Sequence, residues 1–278
     1  MQGKRVLITG GNGGIGKVTA VELAKLGAEV VVASRESQKT TDAMAEISSH
    51  GSAVHLPVDL ASLASVRALA RTFLDRYDRL DVLINNAGVF PLKLTLTEDG
   101  VEAQFGVNHL AHFLLTMELL DCLKASAPSR VVTVTSKLHK GGAIDFDNLR
   151  GEGKYSAQSA YGQSKLANVL FGVELARRLE GTGVTSNLVH PGAVRTDIMR
   201  SLPGFIRWLV NLRFIPVEEG AKTSVMLASD PSFEAVTGAY YDQCEADTCA
   251  DTANDDALRA RLWSESETMT VASASSDT

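Results

Sequence analysis

Short runs of β-branched and apolar residues alternate with longer stretches whose apolar positions recur every three to four residues, almost from end to end of the chain. The runs predict strands over 5–9, 29–33, 53–57, 82–85, 131–135 and 186–189. The periodic stretches predict helices over 15–26, 37–49, 62–77, 98–123 and 157–179, with another from about 217. Strands that are apolar at nearly every position, not at every second one, belong to a sheet covered on both faces, which makes the sheet parallel. Right-handed crossovers then give a doubly wound, Rossmann-type α/β fold with helices on both faces. No linker, repeat or low-complexity block interrupts the pattern, so about 1–267 reads as a single domain. The Ser/Ala/Thr-rich remainder, 268–278, reads as a flexible tail.

One segment breaks the rhythm. Residues 197–216 carry Leu202, Phe205, Ile206, Trp208, Leu209, Val210, Leu212, Phe214 and Ile215. A lid over a ligand site, a plainly packed helix and a membrane-surface helix all fit that composition. The lid is preferred, because the segment follows the carboxyl end of a strand, where α/β folds bind ligands. Phe205, Trp208 and Leu209 are then the candidate substrate contacts.

Composition narrows the classes of function. The chain has 278 residues, 27 basic and 33 acidic, for a net charge of −6. That balance argues against a nucleic-acid binder, which needs a basic face to neutralise phosphates. Cys122, Cys244 and Cys249 fit neither a disulfide framework nor a zinc ligand set, and read as buried small apolar residues in a reducing compartment. The first residues pass directly into a strand too short for a signal peptide's apolar region, and no run of about 18 apolar residues occurs anywhere. The expectation is a soluble, cytoplasmic protein without a transmembrane anchor. Weak membrane contact through 197–216 and assembly as a homo-oligomer stay open.

The first strand runs into Thr9-Gly10-Gly11-Asn12-Gly13-Gly14-Ile15-Gly16, which opens the first helix. Glycines let a backbone turn tightly and approach a pyrophosphate, and a helix N-terminus offers N–H donors and positive dipole to the anion. The placement after a strand makes Gly10, Asn12, Gly14, Ile15 and Gly16 a dinucleotide-binding loop, although the spacing differs from the usual Gly-x-Gly-x-x-Gly. The second strand ends in Ser34 and Arg35 where an NAD site usually places a carboxylate. A guanidinium can grip a 2′-phosphate as a charge-assisted fork, which favours NADP(H) over NAD(H). Asp59, followed by Leu60, either accepts from an adenine amino group or caps the helix that begins near Ser62.

Ser136 follows the fifth strand, and Tyr161 and Lys165 stand four apart on a helix, which puts phenol and ammonium on one face. A neighbouring cation favours phenolate and so lowers a phenol's pKa toward neutrality. A serine hydroxyl can hydrogen-bond an oxygen on which charge develops. His109 and His112 read as a helix-surface pair rather than a metal face, since no companion ligand stands at metal spacing, and no metal is expected. Ser136, His139 and Asp145 suggest a hydrolase triad, but the Gly-x-Ser-x-Gly elbow is missing.

Taken together, these motifs resemble the short-chain dehydrogenase/reductase family from residue 4 to about 269: the glycine turn, Asn85-Asn86-Ala87-Gly88, Asn108, Ser136, Tyr161 with Lys165, and Pro191-Gly192 with Thr196. The stretches Phe105-Gly106-Val107-Asn108-His109-Leu110, Ala160-Tyr161-Gly162-Gln163-Ser164-Lys165 and Tyr240-Tyr241-Asp242-Gln243-Cys244 resemble its retinol dehydrogenase-like branch. The resemblance implies Tyr161 as general acid/base, Lys165 as the ribose-binding cation that depresses the phenol's pKa, Ser136 as the residue orienting the carbonyl, and Asn108 as the holder of a proton-relay water. It implies that Asn86, Ala87 and Gly88 line the adenosine-side ribose and brace the sheet, and that Pro191, Gly192, Val194 and Thr196 orient the nicotinamide carboxamide. The implied activity is hydride transfer between NADP(H) and a carbonyl or alcohol of a fairly apolar ketone, aldehyde or retinoid-like molecule. Ser34 stands where that branch often has cysteine, and Ser136-Lys137-Leu138-His139 where a second small polar residue is more usual. A noncatalytic NADP-binding sensor or scaffold is the alternative from another class.

Overall fold

A computed structural model of the chain describes residues 1–192 and 215–274. Its strands are Arg5–Thr9 (β1), Glu29–Ser34 (β2), Ala53–Pro57 (β3), Val82–Asn85 (β4), Ser129–Val134 (β5), Val184–His190 (β6), Tyr240–Asp242 (β7) and Glu245–Asp247 (β8). They form one sheet in the order β3-β2-β1-β4-β5-β6-β7-β8, parallel throughout except for the antiparallel β7–β8 pair. The helices are Gly14–Lys25 (α1), Gln38–Ser48 (α2), Leu63–Arg76 (α3), Ala103–Phe105 (α4), Ala111–Glu118 (α5), Leu120–Ala125 (α6), Ala157–Arg178 (α7), Val217–Ser229 (α8) and Asp256–Ala274 (α9). Strand order reverses between β1 and β4, so the crevice at their carboxyl ends is the switch point where such sheets bind ligands.

Both faces of the central strands β1, β2, β4 and β5 are buried, which is why these strands are largely apolar; the edge strand β3 is half-buried and β8 is exposed. Leu7, Val31, Leu83 and Val131 pack on one face against Phe73, Phe113 and Leu170. Val6, Val30, Val82 and Val132 pack on the other against Leu23 and Leu227. A one-residue slip of any central strand would exchange two equally apolar sets, so register depends on the backbone ladder and on polar ties at the strand ends. One such tie is Asp81, whose carboxylate accepts from the Arg5 N–H at 2.9 Å and pairs with Lys4 and Arg79.

Several boundaries differ from the expectation. The helix over 98–123 is broken: Leu96 pairs with Glu102, Glu102 caps the N–H groups of Gln104 and Phe105, and Gly106–Leu110 form a wide π-turn before α5. The short β7 and β8, joined through the positive-φ residues Gln243 and Cys244, carry no glycine or asparagine turn signal. The final helix runs to Ala274, with Thr270 buried, so order extends past the expected break near 268. Cys122 is buried as expected, but Cys244 and Cys249 are only half-buried; all three are free. Among the described residues no helix is long and apolar enough to cross a membrane, and no group of His, Cys, Asp and Glu is placed to hold a metal ion.

His109 and His112 form no surface pair. The broken helix lies in the core, and both rings are buried; His109 Nε2 meets Ser266 Oγ of α9 at 2.9 Å. Burial pushes His109 down to about 3 and His112 and His190 to about 4, and it also lowers His139. These rings are neutral in the folded protein, while unfolded histidine titrates near 6.5. Below that value the unfolded chain binds more protons, so stability falls as pH falls. Each of the three most shifted histidines should withdraw on the order of 2 kcal/mol between pH 7 and pH 5. Urea unfolding at the two pH values measures this; equal stabilities would show that the rings are not held neutral.

Candidate active site

The crevice is built from the end of β1. Thr9 Oγ1 accepts the N–H groups of Asn86 and Ala87, both at 3.0 Å, and Asn86 Nδ2 donates to the Thr9 carbonyl at 2.7 Å. The Asn86-Ala87-Gly88 turn after β4 is thereby strapped to the glycine turn after β1. Thr9 Oγ1 also lies 2.8 Å from His112 Nε2, and His112 Nδ1 lies 3.0 Å from the Asn108 carbonyl. With Thr9 as donor to Nε2 and Nδ1–H as donor to Asn108, one neutral ring joins the glycine turn and the Asn86-Ala87-Gly88 turn to the π-turn. Sequence reasoning missed Thr9 and His112 as a bridge. The hydroxyl at the last position of β1 was the available signal.

The glycine turn fits a pyrophosphate. A side chain at Gly16 would meet the Gly10 carbonyl oxygen at 2.5 Å, so only glycine lets α1 start against β1. No side chain caps α1 at Gly13 and no acidic residue stands in its first turn, which leaves N–H donors and dipole for an anion. Asn12 Nδ2 donates to Thr40 Oγ1 at 2.9 Å, and Ile15 packs against Ala221 of α8. At the end of β2 Ser34 is buried, with Oγ 3.2 Å from His55 Nε2, and Thr40 Oγ1 donates to the Arg35 carbonyl at 2.7 Å. The Arg35 side chain is exposed. Asp59 does not cap α3; Ser62 does, while Asp59 Oδ1 accepts from the Ala61 N–H and Leu60 packs partly against the core.

The predicted catalytic side chains Ser136, Tyr161 and Lys165 stand along the seam between β5 and α7. Lys165, 2 % exposed, donates from Nζ to the Val134 carbonyl at 3.1 Å. Asn168 Nδ2 donates to the same oxygen at 3.1 Å, and Thr135 Oγ1 donates to the Lys165 carbonyl at 2.8 Å. Ser136 is the next residue of the chain, and its Oγ accepts from the Leu138 N–H at 3.3 Å, leaving its own hydrogen to donate. Asn108 is fully buried; its amide donates to the Val89 carbonyl and Ser164 Oγ and accepts from the Val89 N–H. A single point, the absent Cβ of Gly88, lies 3.4 Å from Asn108 Oδ1 and 3.6 Å from Lys165 Nζ, which places the Asn86-Ala87-Gly88 turn against both. Phe90 meets the Tyr161 ring edge-on with centroids 5.1 Å apart, and Leu138 is exposed nearby in sequence to Ser136, giving the crevice apolar surface.

One expectation fails here. Tyr161 is pushed up to about 12 and Lys165 down to about 8, in each case by burial. The ammonium lies 5.6 Å from the Tyr161 ring centroid and spends its hydrogen bond on Val134. Desolvation of the phenolate therefore outweighs attraction by the cation.

No hydrolase triad forms. His139 Nδ1 contacts the Ser136 carbonyl at 2.6 Å rather than Oγ, and the Asp145 carboxylate accepts from the Asp147 N–H. Pro191 is buried and Gly192 adopts φ +83°, just beyond β6. Val194 and Thr196, together with Phe205, Trp208 and Leu209 and most of the lid segment, lie outside the described residues.

Comparison with known proteins places this geometry. The family model described as short chain dehydrogenase matches residues 4–204. Retinol dehydrogenase 14 of Homo sapiens is 47% identical, over 97% of this chain and 87% of its own length. Retinol dehydrogenase 13 of Homo sapiens is 45% identical, over 95% and 83%. Among solved structures, a protein from Mycobacterium Paratuberculosis has a TM-score of 0.81 and 35% identity over 97% of this chain and 94% of its own. A short chain dehydrogenase from Burkholderia cenocepacia, in complex with NADP, has a TM-score of 0.72 and 26% identity over 91% and 98%.

The strap at Thr9 can be tested separately from catalysis. Thr9→Val leaves the half-buried N–H groups of Asn86 and Ala87 without this acceptor, at up to about 1–3 kcal/mol each. A clear drop in thermal midpoint is expected, with most of it restored in Thr9→Ser. If Thr9→Val melts with the wild type, the hydroxyl does not hold the turns together.

Proposed function

From the premise that the chain belongs to the short-chain dehydrogenase family, in its retinol dehydrogenase-like branch, we propose NADP(H) as cofactor and a fairly apolar ketone, aldehyde or retinoid-like carbonyl, with its alcohol, as substrate. As an oxidoreductase of CH–OH and C=O groups the chain leaves the noncatalytic-sensor alternative without support. The uncapped start of α1 and the Gly16 contact support pyrophosphate on the glycine turn. The exposed Arg35 beside Ser34, with no carboxylate at that position, supports a 2′-phosphate. Asp59 and Leu60 would flank the adenine, Asn86, Ala87 and Gly88 the ribose, and Pro191, Gly192, Val194 and Thr196 the nicotinamide. Phe90 and Leu138 support an apolar substrate, for which Phe205, Trp208 and Leu209 are the proposed lid contacts.

When bound, the reduced nicotinamide supplies the hydride. Ser136 Oγ–H then donates to the carbonyl oxygen, and Tyr161 gives that oxygen its proton. A phenol pushed up to about 12 is protonated at neutral pH, so Tyr161 stands loaded for reduction. Lys165, pushed down to about 8, still carries its charge in most molecules at neutral pH and can hold the ribose hydroxyls. Asn108, fixed by Val89 and Ser164, would hold the water that returns a proton to the phenolate. The placement of Lys165 Nζ 5.6 Å from the Tyr161 ring centroid, beside the end of β5 from which Ser136 leaves, is the observation that carries this reading.

Tyr161→Phe should lower reduction by roughly 10²–10⁴-fold, the usual worth of general acid catalysis, with NADPH binding retained. Near-normal turnover in that variant would remove Tyr161 from the chemistry. For the cofactor, a hydrogen bond to a charged group is worth about 1.5–3 kcal/mol, or about 10- to 150-fold. Arg35→Ala should weaken NADPH by that factor and barely change NADH, and Ser34→Asp should shift the ratio further by repelling the phosphate. Catalytic efficiency with each coenzyme measures both; a ratio unmoved by Arg35→Ala would assign selectivity elsewhere.

A further inference from the structure

His139 sits in the Lys137–Gly141 turn that follows Ser136, and it is completely buried. Its Nδ1 is 2.6 Å from the Ser136 carbonyl oxygen, and its Nε2 accepts from the Ala250 N–H at 3.1 Å. The second contact fixes the proton. An amide N–H only donates, so Nε2 is the bare nitrogen and Nδ1 carries the hydrogen given to Ser136. The ring also meets Tyr240 of β7 edge-on, with centroids 5.2 Å apart.

We propose that His139 is a positioning residue that aims the Ser136 hydroxyl by tying the Ser136 carbonyl to the backbone at Ala250. The proposal rests on the role given above to Ser136. Two further observations locate the same turn as a clamped element. Lys137 Nζ pairs with Asp242 of β7 at 2.5 Å and Lys140 Nζ with Asp247 of β8 at 3.2 Å, so the β7–β8 hairpin holds the turn from outside. From inside, a Cβ on Gly142 would lie 2.5 Å from the carbonyl oxygen of Gly162, the neighbour of Tyr161, so the turn rests directly on the first part of α7. The surface ion pairs are individually weak. His139 is the buried link, and it bonds Ser136's own peptide group. A serine whose carbonyl is pinned to one side and whose next turn rests on α7 has its Cα–Cβ direction set before substrate arrives.

The test uses the full chain, NADPH and nonanal as an apolar aldehyde probe, with Ser136→Ala in parallel. His139→Phe fills the site and removes both bonds. It should lower kcat by about 10²-fold, the cost of a misplacement near 1 Å, with the Kd for NADPH within about 2-fold of wild type. His139→Gln has one donor and one acceptor and should recover most of the loss, which a mere packing role would not predict. Ala250→Pro deletes the N–H given to Nε2, at a φ of −57° that proline adopts, and sets the ring Cδ against the imidazole in its place, so the tie is broken from the other side. It should lower kcat in the same direction, and it decides the matter if His139→Phe does not fold. Wild-type kcat in His139→Phe, or in Ala250→Pro if the first is unfolded, while Ser136→Ala is impaired, overturns the proposal. Full activity in Ser136→Ala overturns it differently, by removing the role of Ser136 itself.

Discussion

The ammonium of Lys165 donates to the carbonyl of Val134 at the end of β5, in a place almost without solvent. A buried charge must be hydrogen-bonded and must accept a shifted pKa. Here it does both, and the requirement organises its surroundings. Asn168 shares the Val134 oxygen and Thr135 returns a bond to the Lys165 carbonyl, so β5 and α7 are locked at the level where Ser136 leaves the strand. Desolvation lowers the enclosed lysine to about 8 and raises the neighbouring phenol, whose residue is only half-buried, to about 12. At neutral pH Tyr161 therefore holds its proton and Lys165 most of its charge.

A second polar tie, Thr9 to the Asn86-Ala87-Gly88 turn, works at the other lip of the crevice. Neutral His112 joins the two lips by reaching from Thr9 to the Asn108 carbonyl, and Asn108 in turn reaches Ser164 on α7. The apolar packing on both sheet faces gives stability but little register, because consecutive strand positions are equally apolar. The polar groups at the strand ends supply the alignment that the core does not, and those are the groups that line the site.

Much of this was legible in the chain. Strands β1, β3 and β4 are found at their predicted bounds; for β1 and β4 burial on both faces leaves short apolar runs, while the edge strand β3 is only half-buried. The spacing of Ser136, Tyr161 and Lys165 was enough to bring them to one seam. What escaped was set by tertiary contact. The π-turn at Gly106–Leu110 leaves no periodic trace, so 98–123 looked like one helix. Strands β7 and β8 are three residues each and exist through pairing and through Cys244 N–H donating to Thr223 Oγ1. His109 and His112 looked exposed because a helix buried on every side has no polar face to contrast with them. The pKa of Tyr161 moved opposite to the expectation because spacing on a helix reveals the neighbouring cation but not the desolvation that opposes it.

That last point is the core of the account, and the most direct measurement is the ultraviolet titration of tyrosinate in the cofactor-free protein, taken as wild type minus Tyr161→Phe. The account predicts that the difference signal, the phenol of Tyr161 alone, stays protonated through pH 10 and ionises only near 12. A difference signal that ionises below the ordinary phenol value of about 10 would show the lysine's charge prevailing over burial, and would contradict it.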